Sequence, residues 1–398
     1  MLRMNKTHHI DTRLMHTGSA PFDPATESAP VSLPSIRTST VRFKSLDALD
    51  RAIARRASGE RIAAYGRQGL DTHRAFEDLI CELENATHSY IAPSGMAAIT
   101  LAFMALLDAG DHALVADCVY GPTRILDHSL LERMNIEVTY FSAQDDLAAL
   151  VRPNTRLLYV ESPGSLLFET LDLPALATFA QQHDLVLASD NTWGSGYLYR
   201  PLDLGAQVSV IAATKYIAGH SDVMLGAVAT NDAKTAARLA KAHYALGYSV
   251  SADDVWLALR GARTLPLRLE QHARNALEVC RFFASRPETV RIFHPAWPDD
   301  PGHALWQRDF HGSNGMLSVA LALEPAQARR FVDALTLFGI GFSWGGFESL
   351  VQLVEPSLIA PHGYWTLAPH ALVRLQIGLE HVDDLIADLQ QALDGAQA

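Results

Sequence analysis

An α/β protein built on a mostly parallel sheet, with an N-terminal arm before it and a smaller α+β unit after it, is predicted by three observations. Short apolar runs alternate with helix-spaced segments from about residue 70 to about residue 215. Such alternation implies βαβ units whose sheet is covered on both faces. The texture changes after about residue 260, where helix-spaced stretches lead into a Pro-rich segment and isolated strand-like runs. Residues 1–43, finally, hold many Thr, Ser and Pro with little periodicity, which reads as an extended arm. A chain of 398 residues is also long for one core. The expected division is residues 1–68 for the arm and its helix, 69–261 for a large α/β domain, and 262–398 for an α+β domain.

The elements follow in order. A helix at about Leu46 to Ala57 closes the arm. Asp71-Thr72 is a helix start signal, and Phe76, Leu79, Ile80 and Leu83 recur behind it at helical spacing. The runs Tyr90–Ala92, Ala113–Ala116, Val138–Phe141, Leu157–Val160, Leu185–Ala188 and Val208–Ala213 read as strands, with helices such as Met96–Leu107 and Leu173–Gln182 between them. Beyond residue 260 the pattern predicts a helix over Leu267–Ala284, a strand over Gly315–Leu323, a helix over Pro325–Phe338, a strand over Leu372–Ile377 and a closing helix. No internal repeat or low-complexity tract is visible.

Composition narrows the function. Hydrophobic residues make up 48% and charged residues 19%, as in ordinary globular proteins. A formal charge of −12 with no basic stripe argues against nucleic acid as a partner. No apolar run approaches the roughly 18 residues of a membrane span, and Met1–Gly18 lacks the apolar segment of a signal peptide. Cys81, Cys118 and Cys280 are scattered, which suits a reducing cytoplasm and gives no metal-ligand spacing. Cys118 is expected to be a buried structural thiol. His8, His9 and His16 have no partner pattern and are expected at the surface.

The chemistry is carried by one lysine and what stands before it. Lys215 lies in Ala-Ala-Thr-Lys-Tyr-Ile-Ala-Gly-His-Ser-Asp, residues 212–222, after an apolar run. Upstream, an apolar strand ends at Asp190 and continues as Asn191-Thr192-Trp193. An acid at a strand end and a lysine after the next strand suit pyridoxal phosphate (PLP): the amine forms a Schiff base with the aldehyde and the acid partners the pyridinium nitrogen. Alone the pattern is weak, because a snorkelling surface lysine also fits it. Other parts fall at the carboxyl ends of the strands, where open α/β sheets bind ligands. Ser94-Gly95-Met96 opens an apolar helix and could hold a phosphate on its free N–H groups, although a plain strand-to-helix turn would read the same way. Tyr120 could stack on a flat ring or simply occupy a turn. Asp190 could cap a helix instead. Thr214 offers a hydroxyl. Arg374 is a charge inside the apolar strand Leu372–Ile377, which requires a partner: a bound carboxylate or a structural ion pair. His220 and Asp222 are expected to fix the loop after the lysine, and Trp193 to pack behind the cofactor.

Taken together, Tyr65-Gly-Arg67, Glu161-Ser-Pro-Gly-Ser165, Asp190-Asn-Thr-Trp193, Ala212–Asp222, Phe342-Ser-Trp-Gly-Gly-Phe-Glu-Ser349 and Arg374-Leu-Gln-Ile-Gly-Leu-Glu380 stand in an order and spacing that resembles the Cys/Met-metabolism family of PLP-dependent enzymes. The resemblance runs from about Thr17 to Leu389. It implies PLP fold type I (aspartate-aminotransferase-like). It also implies roles for matching positions. Lys215 would carry the cofactor and move protons, Asp190 would keep the ring nitrogen protonated, and Tyr120 would stack on the ring. Gly95, Met96 and Thr214 would hold the phosphate. Tyr65 and Arg67 would reach the cofactor phosphate of a neighbouring subunit, with Tyr65 also helping to deprotonate the incoming amine. Arg374 would clamp the substrate α-carboxylate, with Ser343 and Trp344 shaping that pocket. A site completed by a neighbour implies a homo-oligomer, usually a tetramer in this family. One departure is Ala212, where many relatives have serine. The β-eliminating bacterial branch is similar to this chain in having alanine there.

The branch that this chain most resembles splits L-cystathionine, an amino-acid thioether, by β-elimination to homocysteine, pyruvate and ammonia, a step of methionine biosynthesis. γ-Acting relatives typically carry a glutamate at the position of Phe342 and leucine at that of Trp344. A bulky apolar wall of Phe342 and Trp344 suits a reaction needing only Cα deprotonation. Alternatives are a γ-type synthase or lyase, a broad cysteine-conjugate β-lyase or desulfhydrase, and a PLP-binding regulatory module. A nicotinamide-dependent dehydrogenase lacks its glycine fingerprint here. No metal is expected.

Overall fold

The computed structural model describes residues 7–397. Seven strands form the first sheet: β1 (His88–Ala92), β2 (His112–Ala116), β3 (Glu137–Phe141), β4 (Thr155–Glu161), β5 (Val186–Asp190), β6 (Val208–Ile211) and β7 (Gly226–Thr230). Their order is β1-β7-β6-β5-β4-β2-β3, parallel throughout except that β7 runs antiparallel to both β1 and β6. Strands β2, β6 and β7 are buried at every residue, as expected of a sheet with both faces covered. The fold class read from the sequence therefore holds, with the helices Leu46–Ala57 and Leu173–Gln182 at the predicted bounds. Side-chain caps define several helix starts: Ser45 accepts from Ala48 N–H at 3.2 Å, and Asp172 from Ala175 N–H at 3.2 Å.

A second sheet holds β8 (Thr289–Phe293), β9 (Met316–Leu321), β10 (Gly339–Ile340), β11 (Leu350–Val354) and β12 (Ala371–Gln376), in the order β10-β11-β12-β9-β8. It is antiparallel apart from β10 with β11. Each sheet has its own apolar core. The 20-residue helix Leu265–Ala284 serves both, placing Leu265 and Leu269 in the first core and Ala276, Val279, Cys280 and Phe283 in the second.

The sequence reading missed strands β8, β10 and β11, and the helix predicted over Pro325–Phe338 ends at Asp333. Two further departures bear on the first sheet and its arm. The arm is not extended from its start: Ile10–His16 is a helix whose Leu14 is fully buried. It is fastened by an Arg13–Glu82 ion pair at 2.8 Å and by Tyr197 Oη donating to Asp11 at 2.9 Å. Strand β7 was not foreseen, because in Gly226-Ala-Val-Ala-Thr230 the strand-favouring Val228 and Thr230 are diluted by glycine and two alanines. Its small side chains let the helix Gly95–Leu106 lie close. Among the described residues no helix is long and apolar enough to cross a membrane. All three cysteines are buried and outside any disulfide, Cys118 included, and His8, His9 and His16 are exposed.

Candidate active site

Strands β4, β5 and β6 end side by side, with Glu161 in register with Asp190 and Asp190 with Val210. Past β6 the chain turns through Ala212-Ala213-Thr214 to Lys215. The turn is pinned by Lys215 N–H donating to the Ala212 carbonyl at 3.1 Å and Thr214 N–H donating to the Leu225 carbonyl at 3.0 Å. The Thr214 hydroxyl accepts from Leu225 N–H at 2.9 Å and lies 3.2 Å from the Leu225 carbonyl. It is thus engaged with the main chain while still lining the cleft.

The Lys215 amine donates to Ser343 Oγ at 2.7 Å and sits 5.2 Å from the Trp344 ring centre. Enclosure in the cleft pushes its pKa down to about 8; the charge of Arg374 acts the same way and that of Asp190 opposes it. A lysine so placed holds a far larger neutral fraction near physiological pH than an ordinary lysine does, and the neutral form is the one in which an amine attacks an aldehyde or takes a proton. Asp190 is buried and accepts from the Thr192 hydroxyl at 2.5 Å and the Thr192 N–H at 2.9 Å. Burial raises its pKa, and the Thr192 donors and Lys215 hold it back.

The opposite wall comes from the second sheet. Arg374, on β12, gives one Nη to the Ser343 carbonyl at 3.2 Å, while its Nε is buried without a partner. Among the described residues it forms no ion pair, so the structural salt bridge is not what holds this charge. Burial draws its pKa down to about 10, which leaves it cationic at neutral pH. Ser343 has φ +81°, a left-handed conformation that a serine adopts at a cost in strain. Its hydroxyl meets Lys215 and its carbonyl meets Arg374. Gly345 beside it allows this approach, since a Cβ there would lie 3.0 Å from Lys215 Cα.

At the third wall, Ser94 caps the helix Gly95–Leu106, accepting from Ala97 N–H at 3.0 Å. A Cβ on Gly95 would fall 2.5 Å from the Ala212 Cβ, so the helix start can lie against the turn before Lys215 only as glycine. The Gly95 and Met96 end of this helix faces the cleft, where its free N–H groups suit an anion. Tyr120 lines the rim, its N–H donating to Glu161 Oε2 at 2.6 Å. The cleft encloses about 870 Å³ of empty space including its mouth.

An aldehyde-reactive lysine, a buried acid, an anion-binding helix start and a rim tyrosine match the parts of PLP, and the unpartnered Arg374 Nε fits an incoming carboxylate. Of the residues predicted from the sequence, Lys215, Asp190, Tyr120, Gly95, Met96, Thr214, Ser343, Trp344 and Arg374 come together. Trp193 lines the cleft as well. His220 hydrogen-bonds the nearby Ala218 carbonyl at 2.7 Å, in keeping with a loop role. Phe342 is a correction: it is 84% exposed and forms no part of the cleft wall, because the left-handed Ser343 sends the chain outward before Trp344 returns. Tyr65 and Arg67 do not reach this chain's cleft. They border a separate open groove with Ser39 and His73, Arg67 lying 4.8 Å over the Tyr244 ring. Sequence reasoning assigned no role to Glu161, Met224 or Met316, which also line the cleft. Glu161 had a signal, since it ends an apolar strand as Asp190 does.

The geometry agrees with what this chain is similar to. It is 67% identical over 388 residues to a cystathionine beta-lyase of Bordetella avium, covering 98% of each chain. It is 38% identical to one of Haemophilus influenzae, over 90% of this chain and 92% of that one. A solved structure of cystathionine gamma synthase from Xanthomonas oryzae pv. oryzae, in complex with cystathionine, superposes with a TM-score of 0.88 at 30% identity, covering 98% of this chain and 99% of that one. Residues 11–394 match the family described as Cys/Met metabolism PLP-dependent enzyme, and the chain belongs to that family.

Proposed function

We propose that this protein is a carbon–sulfur lyase that removes homocysteine from L-cystathionine by β-elimination, leaving pyruvate and ammonia. The observation that carries the reading is the pairing across one cleft of a lysine drawn down to about 8 with an arginine whose buried Nε has no partner. The two relatives named as cystathionine beta-lyases support the choice of substrate. PLP, when bound, supplies an electron sink for the pair left at the substrate Cα.

The chain's own residues do the rest. Arg374 takes the α-carboxylate on Nε and its free Nη hydrogens, in the two-pronged geometry guanidinium favours, and this orients the Cα–H bond. Lys215 is within reach of that bond and, in its neutral form, removes the proton. Ser343 keeps the amine and the guanidinium in register, since it touches both. Asp190, buried beside the Thr192 donors, would hold a proton on the ring nitrogen. The Gly95–Met96 helix start, with Thr214, would receive the phosphate. Trp344 forms an apolar wall beside Lys215.

Tyr65 and Arg67 lie outside this chain's cleft, which supports an assembly in which each copy lends them to its neighbour, a dimer at least and a tetramer as the complete form. We place the enzyme in the cytoplasm and divide the chain into an arm (1–68), a PLP domain (69–261) and a C-terminal domain (262–398). Product analysis with purified protein, PLP and L-cystathionine tests the reaction. Homocysteine with pyruvate is expected; cysteine with 2-oxobutyrate would make it a γ-lyase.

A further inference from the structure

We propose that Glu161 is a positioning residue of this site, a carboxylic acid kept neutral that fixes the Tyr120 main chain at the rim and leaves the negative charge of the adjoining acid pair on Asp190. The inference rests on the reading of the cleft as the PLP site. Glu161 ends β4 directly opposite Asp190 on β5, and both side chains line the cleft. Two carboxyls on neighbouring strands in a half-dry site are not both ionised without cost, so one keeps its proton.

The donors decide which. Asp190 receives two hydrogen bonds from Thr192, at 2.5 and 2.9 Å, and feels the Lys215 charge. Glu161 receives one, from Tyr120 N–H at 2.6 Å, and among the described residues no cation pairs with it. Its carboxyl is accordingly held well above the usual range, by burial first and by Asp190 second. The other ionisable groups around it are Cys118, whose thiol donates to the Glu161 main-chain carbonyl at 3.5 Å, and the phenols of Tyr120 and Tyr159; burial pushes all three up, so none supplies a charge. A neutral acid still offers a carbonyl oxygen to Tyr120 N–H. It therefore sets the height of the Tyr120 ring over the cleft without competing with Asp190 for the ring proton.

The test compares Glu161→Ala with Glu161→Gln, which keeps the acceptor and the shape but carries no charge at any pH. PLP dissociation from the loaded protein and its visible absorption are measured for each. Glu161→Ala is expected to weaken PLP retention by about 10-fold, the scale of one buried hydrogen bond, and to move the absorption band. Glu161→Gln is expected to restore both to within about 2-fold, since it replaces every interaction but an ionisable proton. If Glu161→Gln is as impaired as Glu161→Ala, the neutral-acid assignment is overturned. If Glu161→Ala binds PLP with the wild-type constant and spectrum, the positioning role is overturned. A wild-type protein that takes up no PLP would instead overturn the reading of the cleft, so the two failures are distinct.

Discussion

The cleft around Lys215 and the groove around Tyr65 are built in opposite ways. In the cleft, strand ends from one sheet and a loop from the other converge, and nearly every polar group meets a neighbour within the same chain. Lys215 has Ser343, Asp190 has Thr192, and Arg374 has the Ser343 carbonyl with one nitrogen left over. In the groove, Tyr65 is 46% exposed, Arg67 rests on Tyr244, and among the described residues that line it there is no carboxylate. The contrast teaches that the Lys215 and Arg374 surroundings close within one chain, whereas the Tyr65 groove stays open; under the proposed assembly that groove would serve a neighbour's site.

The contrast breaks at its strongest point if Lys215→Ala retains turnover. The variant is expected to lose about 10⁴-fold in pyruvate release from L-cystathionine, since both nucleophile and base disappear. Arg374→Ala should act next most strongly, raising KM about 100-fold with a smaller change in kcat, as steady-state kinetics would show. An unchanged KM would remove Arg374 from carboxylate binding.

The groove is probed by subunit mixing. Arg67→Ala alone should weaken PLP retention about 10-fold, the scale of a charge-assisted contact. Equal amounts of Lys215→Ala and Arg67→Ala protein, unfolded and refolded together, should leave about a quarter of all sites with wild-type PLP retention, which neither variant shows alone. Half of randomly paired dimers then carry one intact site of two. No recovery would place the Tyr65 groove outside any shared site.

The smallest effect sharpens the electrostatics of the cleft. The neutral amine is the nucleophile, so the rate at which apoenzyme takes up PLP should rise with pH and level off above about 8. Arg374 lowers the Lys215 pKa, so Arg374→Ala should move the midpoint up; Asp190 raises it, so Asp190→Asn should move it down. Shifts of up to about one pH unit are expected, and stopped-flow absorbance measures them.

Much of this was legible in the sequence, for physical reasons. Asp190 and Lys215 follow apolar strand runs, so their positions at strand ends could be read, and Arg374 announced itself as a charge in an apolar strand. What was hidden depended on side-chain direction and on small residues. Phe342 and Trp344 are two apart, and only the left-handed Ser343 between them decides that one faces solvent and the other the cleft. Strand β7 pairs on both edges, but glycine and two alanines dilute the strand signal of its Val228 and Thr230. The helix at Ile10–His16 is held by distant partners, Glu82 and Tyr197, that local periodicity does not reveal.

The helix Leu265–Ala284 has a mechanical consequence. Its 20 residues span about 30 Å and are seated at one end with the Lys215 half of the molecule and at the other with the Arg374 half. It is a lever: a tilt of about 2° displaces its far end by about 1 Å, and a misplacement of that size at reacting groups can cost about 100-fold in rate. A side chain enlarged at Ala276, far from the cleft, would therefore be felt as a mistimed grip on the substrate.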